Sequence, residues 1–128
     1  MLNILKREFW ARGAISFNED SIEEIEKVTL KFIYTFLSKN KIKSSNIIFL
    51  MIIAPKGLHS CYPCSFIRRN GFNFPCITVS DIEVSNSPQN ILRFVIQYKS
   101  YKKIEDLYLD DAIKLKSIID KIIDIKTL

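Results

Sequence analysis

Two arginines stand among residues that are otherwise apolar. Arg93 lies inside Ile91-Leu92-Arg93-Phe94-Val95-Ile96, and Arg12 lies inside a loosely alternating stretch from Phe9 to Phe17. A guanidinium keeps its charge in any folded protein and is costly to bury without an anion. Each arginine therefore calls for a carboxylate, supplied by the protein or by a ligand. Asp81, Glu83 and Asp106 are the protein's own candidates. The alternative is a shared cleft: two strand arginines, with Arg68 after a short helix and Asp81 and Tyr108 at strand ends, would bind a dicarboxylate through charge-assisted, partly bidentate hydrogen bonds. The residues alone leave both readings open.

A second set, His59-x-Cys61-x-x-Cys64 followed by Cys76, gathers the single histidine and all three cysteines. Four such ligands could hold zinc tetrahedrally. The second half lacks a pair of its own, however, and packing cysteines are the preferred reading over zinc or a redox dithiol. An odd number of cysteines also fits reduced thiols better than a disulfide framework. Nucleophile and base do not pair up in a recognisable triad. Three glycines, none of them grouped, exclude a phosphate-cradling loop. If the chain is an enzyme, its chemistry uses neither a covalent intermediate nor a nucleotide loop.

With 128 residues and a hydrophobic fraction of 48%, the chain is expected to form one domain, residues 1–128, with a proper core. Its net charge of +5 suits anionic partners from small carboxylates to nucleic acid and selects none of them. The first thirteen residues carry Lys6, Arg7, Glu8 and Arg12 and hold no apolar signal region. The apolar run Ile47 to Ala54 stops at Pro55, far short of the roughly 20 residues that span a bilayer. A soluble cytoplasmic protein without membrane contact is expected.

The elements that must hold these side chains follow from periodicity. Phe9 to Phe17 reads as a strand, with Gly13 permitting close approach of a backbone or ligand. Ser21 and Glu24 have capping-box spacing, and Ile22, Ile25, Val28, Phe32, Ile33, Phe36 and Leu37 recur at helical spacing. Asn46 to Ala54 reads as a strand buried on both faces and central in the sheet. Leu58 to Gly71 predicts a short helix ended by Asn70-Gly71, with Pro63 near its first turn. Phe74 to Ser80, Ile91 to Ile96 and Asp106 to Leu109 complete the strands. Ala112, Ile113, Leu115, Ile118, Ile119, Ile122 and Ile123 would place the tail in a helix. The fold class is a mixed α/β (α+β) sheet of about five strands with two longer helices and a short one.

These residues, in this order, resemble the monofunctional, bacillus-type (AroH-class) chorismate mutases. The matching pieces are Arg12-Gly13-Ala14, Glu23-Glu24-Ile25, Ala54-Pro55-x-x-Leu58-His59, Pro63, Arg68, Pro75 with Asp81, Arg93, and Tyr108-Leu109-x-x-Ala112-x-x-Leu115. They cover residues 10–116, leaving 117–128 as a tail outside the match. The resemblance implies a single domain with helices on one side of its sheet, three copies building a pseudo-α/β-barrel trimer, and active sites between subunits. It implies that Arg93, Arg12 and Tyr108 hold the substrate from one subunit and that Tyr62, Cys64 and Arg68 line the cleft from its neighbour. Asp81 and Thr78 would face the substrate hydroxyl, Cys76 and Ile77 would border the same site, and Leu115 and Lys116 would belong to a mobile C-terminal lid. Asp81 stands where the family usually has glutamate, Thr78 replaces a common cysteine, and Lys116 replaces an arginine.

The implied reaction, chorismate to prephenate on the route to phenylalanine and tyrosine, is a pericyclic rearrangement. It requires no nucleophile, metal or cofactor, only a held conformer and positive charge at the breaking ether oxygen. Two other readings belong to different classes. One is a basic nucleic-acid-binding module, motivated by the lysine loops around Tyr98 and Tyr101; the other is a zinc-stabilised interaction domain.

Overall fold

A computed structural model describes residues 5–113. Strand β1 (Arg7–Ser16) turns Ala11, Gly13 and Ile15 to one face and Trp10, Arg12 and Ala14 to the other. Asn18 to Ser21 breaks the strand, and Ser21 caps helix α1 (Ile22–Asn40) by accepting a hydrogen bond from the Glu24 N–H. The capping box closes one turn wider than the spacing predicts, because the Glu24 carboxylate takes the Asn18 N–H at 2.6 Å. The helix outlasts its apolar stripe and ends at Lys41, whose left-handed backbone returns its N–H to Leu37 and Ser38.

Strand β2 (Ile47–Ala54), helix α2 (Pro63–Arg69), and strands β3 (Cys76–Ser80), β4 (Ile91–Ser100) and β5 (Leu107–Leu109) follow. They form one five-stranded mixed sheet in the order β3-β2-β4-β1-β5. Strand β4 runs antiparallel to both β1 and β2, whereas β5 lies parallel to β1 and β3 parallel to β2. The central strand is thus β4, which carries Arg93, and not the isoleucine-rich β2. The buried residues of β2 are Ile47, Leu50, Ile52 and Ala54, alternating from Leu50 onward, while Ile48, Phe49, Met51 and Ile53 are partly exposed. The expectation of burial on both faces fails because, among the described residues, both helices pack on the same face.

That covered face holds the core. Phe32 of α1 stacks on Phe94 with ring centroids 3.8 Å apart, and Phe36, Ile25, Phe66 and Ile67 join Leu50, Ile52, Leu92 and Ile96 in one apolar cluster. Gly13 lies beneath this stack. A Cβ there would lie 2.6 Å from the Leu107 carbonyl and would collide with the Phe32 ring. The close approach predicted at Gly13 is therefore made by strand β5 and the core. Tyr98 is buried in the same cluster, and its hydroxyl accepts the Ile104 N–H at 2.8 Å, which fastens the loop before β5.

Helix α2 begins at Pro63 and not at Leu58, since Pro63 occupies the first turn where a missing N–H costs nothing. Residues 55–62 form a loop turned at Gly57, whose φ is 95°. Cys64 of α2 and Cys76 of β3 are joined by a disulfide with Cα atoms 5.8 Å apart, and Cys61 is the free thiol. The reading of reduced cysteines fails here, because helix packing brings two thiols from positions 12 residues apart face to face. The same bond removes two of the four ligands imagined for zinc. The helical periodicity from Leu115 onward, and with it the proposed lid at Leu115 and Lys116, lies outside the described residues. Among those residues, no helix is long and apolar enough to cross a membrane.

Candidate active site

Four strands, β1, β2, β3 and β5, run parallel to one another and antiparallel to β4, so their C-terminal ends meet the start of β4 at one end of the sheet. The pairing register lays a row across that end on the open face. Val79 pairs with Ile53, Ile53 with Arg93, Arg93 with Ala14, and Ala14 with Tyr108. Arg12 lies two residues before Ala14 on the same face, diagonal to Arg93 at about 7 Å between Cα atoms. The sequence pattern that hid an arginine in an apolar run is thereby explained. Leu92 and Phe94 face the core, while Arg93 faces out between two strands.

Arg93 is consequently not a deeply buried charge. Its side chain is 39% exposed, and its Nε lies 3.5 Å from Oδ2 of Asp81. Arg12 is more open, 3.8 Å from Asp106, whose other oxygen accepts the Arg12 backbone N–H at 2.8 Å. Protein carboxylates therefore reach both arginines without enclosing either guanidinium. Tyr108 is half-buried beside Ala14, Ile91 and Ala112, so the Arg93–Ala14–Tyr108 row rests on a small apolar floor.

Asp81 follows β3 and gives its N–H to the Ala54 carbonyl at 2.7 Å, which holds it across the end of β2. Together with Arg93, Lys56, Glu83 and the loop 82–90 it lines a cleft of about 600 Å³. A second cleft of about 510 Å³ lies between the 57–62 loop and β3, lined by Tyr62, His59, Thr78 and Ser80. Among the described residues the Thr78 hydroxyl has no hydrogen-bond partner, although it is shielded from solvent. A buried hydroxyl left so is costly, and a ligand or partner group would satisfy it.

The remaining residues lie toward the β3 edge. Tyr62 is 74% exposed at the loop end, Ile77 is exposed on β3, and the Arg68 guanidinium rests against the Cys76 carbonyl at 3.4 Å. Cys64 and Cys76 are buried and their sulfurs are bonded to each other, so neither offers a thiol to a ligand. Tyr108 on β5 and the β3 residues stand at opposite edges, four strand spacings or about 19 Å apart. One chain assembles Arg12, Arg93, Tyr108 and Asp81 in one region, and Tyr62, Thr78 and Arg68 in another.

Two contributors escaped the sequence reading. Lys56 lines the Arg93 cleft, and its place two residues after the end of β2 is its signal in the sequence. The loop 82–90 forms a wall of the same cleft, and nothing in its composition marks it as one.

The family model for chorismate mutase type I matches residues 10–118. The chorismate mutase AroH of Thermus thermophilus is 24% identical over 110 residues, covering 82% of this chain and 90% of that protein. In the solved structure of a chorismate mutase from Clostridium thermocellum the fold recurs with a TM-score of 0.76 at 23% identity, over 81% of this chain and 96% of that one. The helix-backed mixed sheet with Arg12, Arg93 and Tyr108 on its open face is thus carried by a sequence that belongs to the type I chorismate mutases.

Proposed function

We propose that this chain, acting as a single domain in the cytoplasm, rearranges chorismate to prephenate in aromatic amino-acid biosynthesis, with the open-face arginines as its working groups. The observation that carries this reading is the shared row of Arg93 and Tyr108 with Arg12 diagonal to it, a cationic and hydroxylic surface on a rigid sheet. The substrate is a dicarboxylate in which one bond from carbon to the ether oxygen breaks while a new carbon–carbon bond forms. Negative charge grows on that oxygen in the transition state. A guanidinium donor held by a central strand meets it without reorganising, which is where electrostatic catalysis is strongest. Arg93 fills this role and also takes a carboxylate. Arg12 and Tyr108 hold the carboxylates in the compact reactive conformer, and Asp81 receives the substrate hydroxyl.

The site is completed by a neighbouring copy in a homotrimer. A single-ring substrate held by Tyr108 cannot reach the β3 edge roughly 19 Å away, so in this reading the Tyr62, Thr78 and Arg68 region of one chain serves the Tyr108 end of the Arg93 row in another. The open face, with Trp10 and Ile77 exposed, supplies apolar surface for that association. Leu115 and Lys116 are further substrate-binding residues in this reading. Size-exclusion chromatography with light scattering, run beside a chorismate assay on the purified protein, tests both parts. A trimer that consumes chorismate is expected, and a monomer that leaves it at the uncatalysed rate would refute the reading.

A further inference from the structure

The segment 55–62 is a loop with no regular structure, yet it carries Tyr62 and one wall of the second cleft. Its internal ties are few: Leu58 N–H to the Pro55 carbonyl at 3.1 Å, the His59 ring nitrogen 3.2 Å from the Gly57 carbonyl, and the Ser60 hydroxyl 3.3 Å from the Cys61 sulfur. The firmest attachment comes from far along the chain. Asp20, directly before the α1 N-cap, divides its carboxylate between two consecutive backbone donors. Oδ2 accepts the His59 N–H at 2.9 Å, and Oδ1 accepts the Ser60 N–H at 3.1 Å. Oδ2 also lies 2.6 Å from His59 Nδ1.

The exposures separate these contacts. The His59 side chain is 81% exposed and the Asp20 side chain only 22%. An open imidazole contact contributes little, whereas a shielded carboxylate holding two amides is a charge-assisted clamp. Burial alone would raise the Asp20 pKa. The Ser60 hydroxyl, the His59 and Ser60 N–H groups and the nearby imidazole together bring it below the ordinary range.

We propose that Asp20 is a positioning residue for the active site, fixing the 55–62 loop and with it Tyr62 by clamping the His59 and Ser60 amides to the start of α1. Asp20 touches no substrate in this arrangement; it acts through the loop. The proposal rests on the reading of Tyr62 as a substrate-binding group of the neighbouring subunit. Because α1 begins beside the clamp and β1 ends just before it, the loop takes its position from the same chain reversal that ends the Arg12 strand.

The test compares full-length wild type with Asp20→Ala and Asp20→Asn by amide hydrogen exchange and chorismate kinetics, each at a temperature well below its unfolding transition. In Asp20→Ala the His59 and Ser60 amides are expected to lose protection and KM to rise roughly tenfold, the value of a lost positioning hydrogen bond, with kcat within about twofold. Asp20→Asn keeps one acceptor oxygen and is expected to fall between. A residue that merely stabilised α1 would lower the folded fraction and leave KM unmoved. Protection retained at both amides in Asp20→Ala, or an unchanged KM, overturns the proposal alone. A wild type without chorismate activity overturns the functional reading and the role of Tyr62 with it.

Discussion

Arg93 and Asp81 meet across a strand that lies between them. Nε of Arg93 on β4 is 3.5 Å from Oδ2 of Asp81 at the end of β3, with β2 separating the two strands. The Asp81 N–H bonded to Ala54 carries the carboxylate over the end of β2. Both side chains are about a third exposed, so water screens the pair and it contributes at most about 1 kcal/mol. Such a contact orients the guanidinium and yields readily to a ligand carboxylate. Asp81→Ala is expected to change unfolding free energy by less than about 1 kcal/mol while lowering kcat/KM for chorismate about tenfold. Asp81→Glu should retain activity. Steady-state kinetics beside thermal unfolding separates the two effects.

Gly13 is where the sheet and core allow no side chain. The Leu107 carbonyl and the Phe32 ring fill the space a Cβ would take, and Phe32 is itself pinned against Phe94. Gly13→Ala is expected to destabilise the protein by about 1 to 3 kcal/mol, the usual cost of overpacking. Denaturant unfolding of the variant measures it.

The disulfide gives a direct count. Unfolded without reductant, the protein should expose one reactive thiol, Cys61, and three after reduction. Cys76→Ser should cost about 3 kcal/mol, as expected for releasing a loop of this length. Three thiols without reductant would refute the bond.

Glu24 supplies an acid-sensitive lock at the start of α1. The Asn18 N–H, and then Lys27 at 2.9 Å, hold its carboxyl below the usual range against the opposing effect of burial. A lowered native pKa stabilises the fold fully above the unfolded value of about 4.3, and this is lost as pH falls through the native value. At neutral pH, Glu24→Gln should therefore be less stable than wild type by about 1 to 2 kcal/mol. The difference should shrink on acidification, as followed by urea titrations across pH.

The sequence disclosed what periodicity controls. The α1 stripe, the five strands and the two arginines were legible because side-chain alternation and capping are local. Pairing was not. Burial of β2 was overestimated because an isoleucine-rich strand reads alike whether helices cover one face or two, and only the register makes β4 central. Arg93 looked buried because its neighbours at 92 and 94 are core residues, although alternation itself sends residue 93 to the other face. The Cys64–Cys76 bond and the Asp20 clamp join distant positions through tertiary packing, and no spacing rule announces them.

The central claim concerns Arg93, which is well placed for a test because its side chain carries little of the core. Turnover of chorismate to prephenate should be measured for wild type and for Arg93→Ala with the oligomeric state checked in both. The wild type should accelerate the rearrangement, and the variant should lose about 10² to 10³ in kcat with assembly intact, as for removal of a donor to a developing oxyanion. A variant that keeps near-normal turnover would contradict the account.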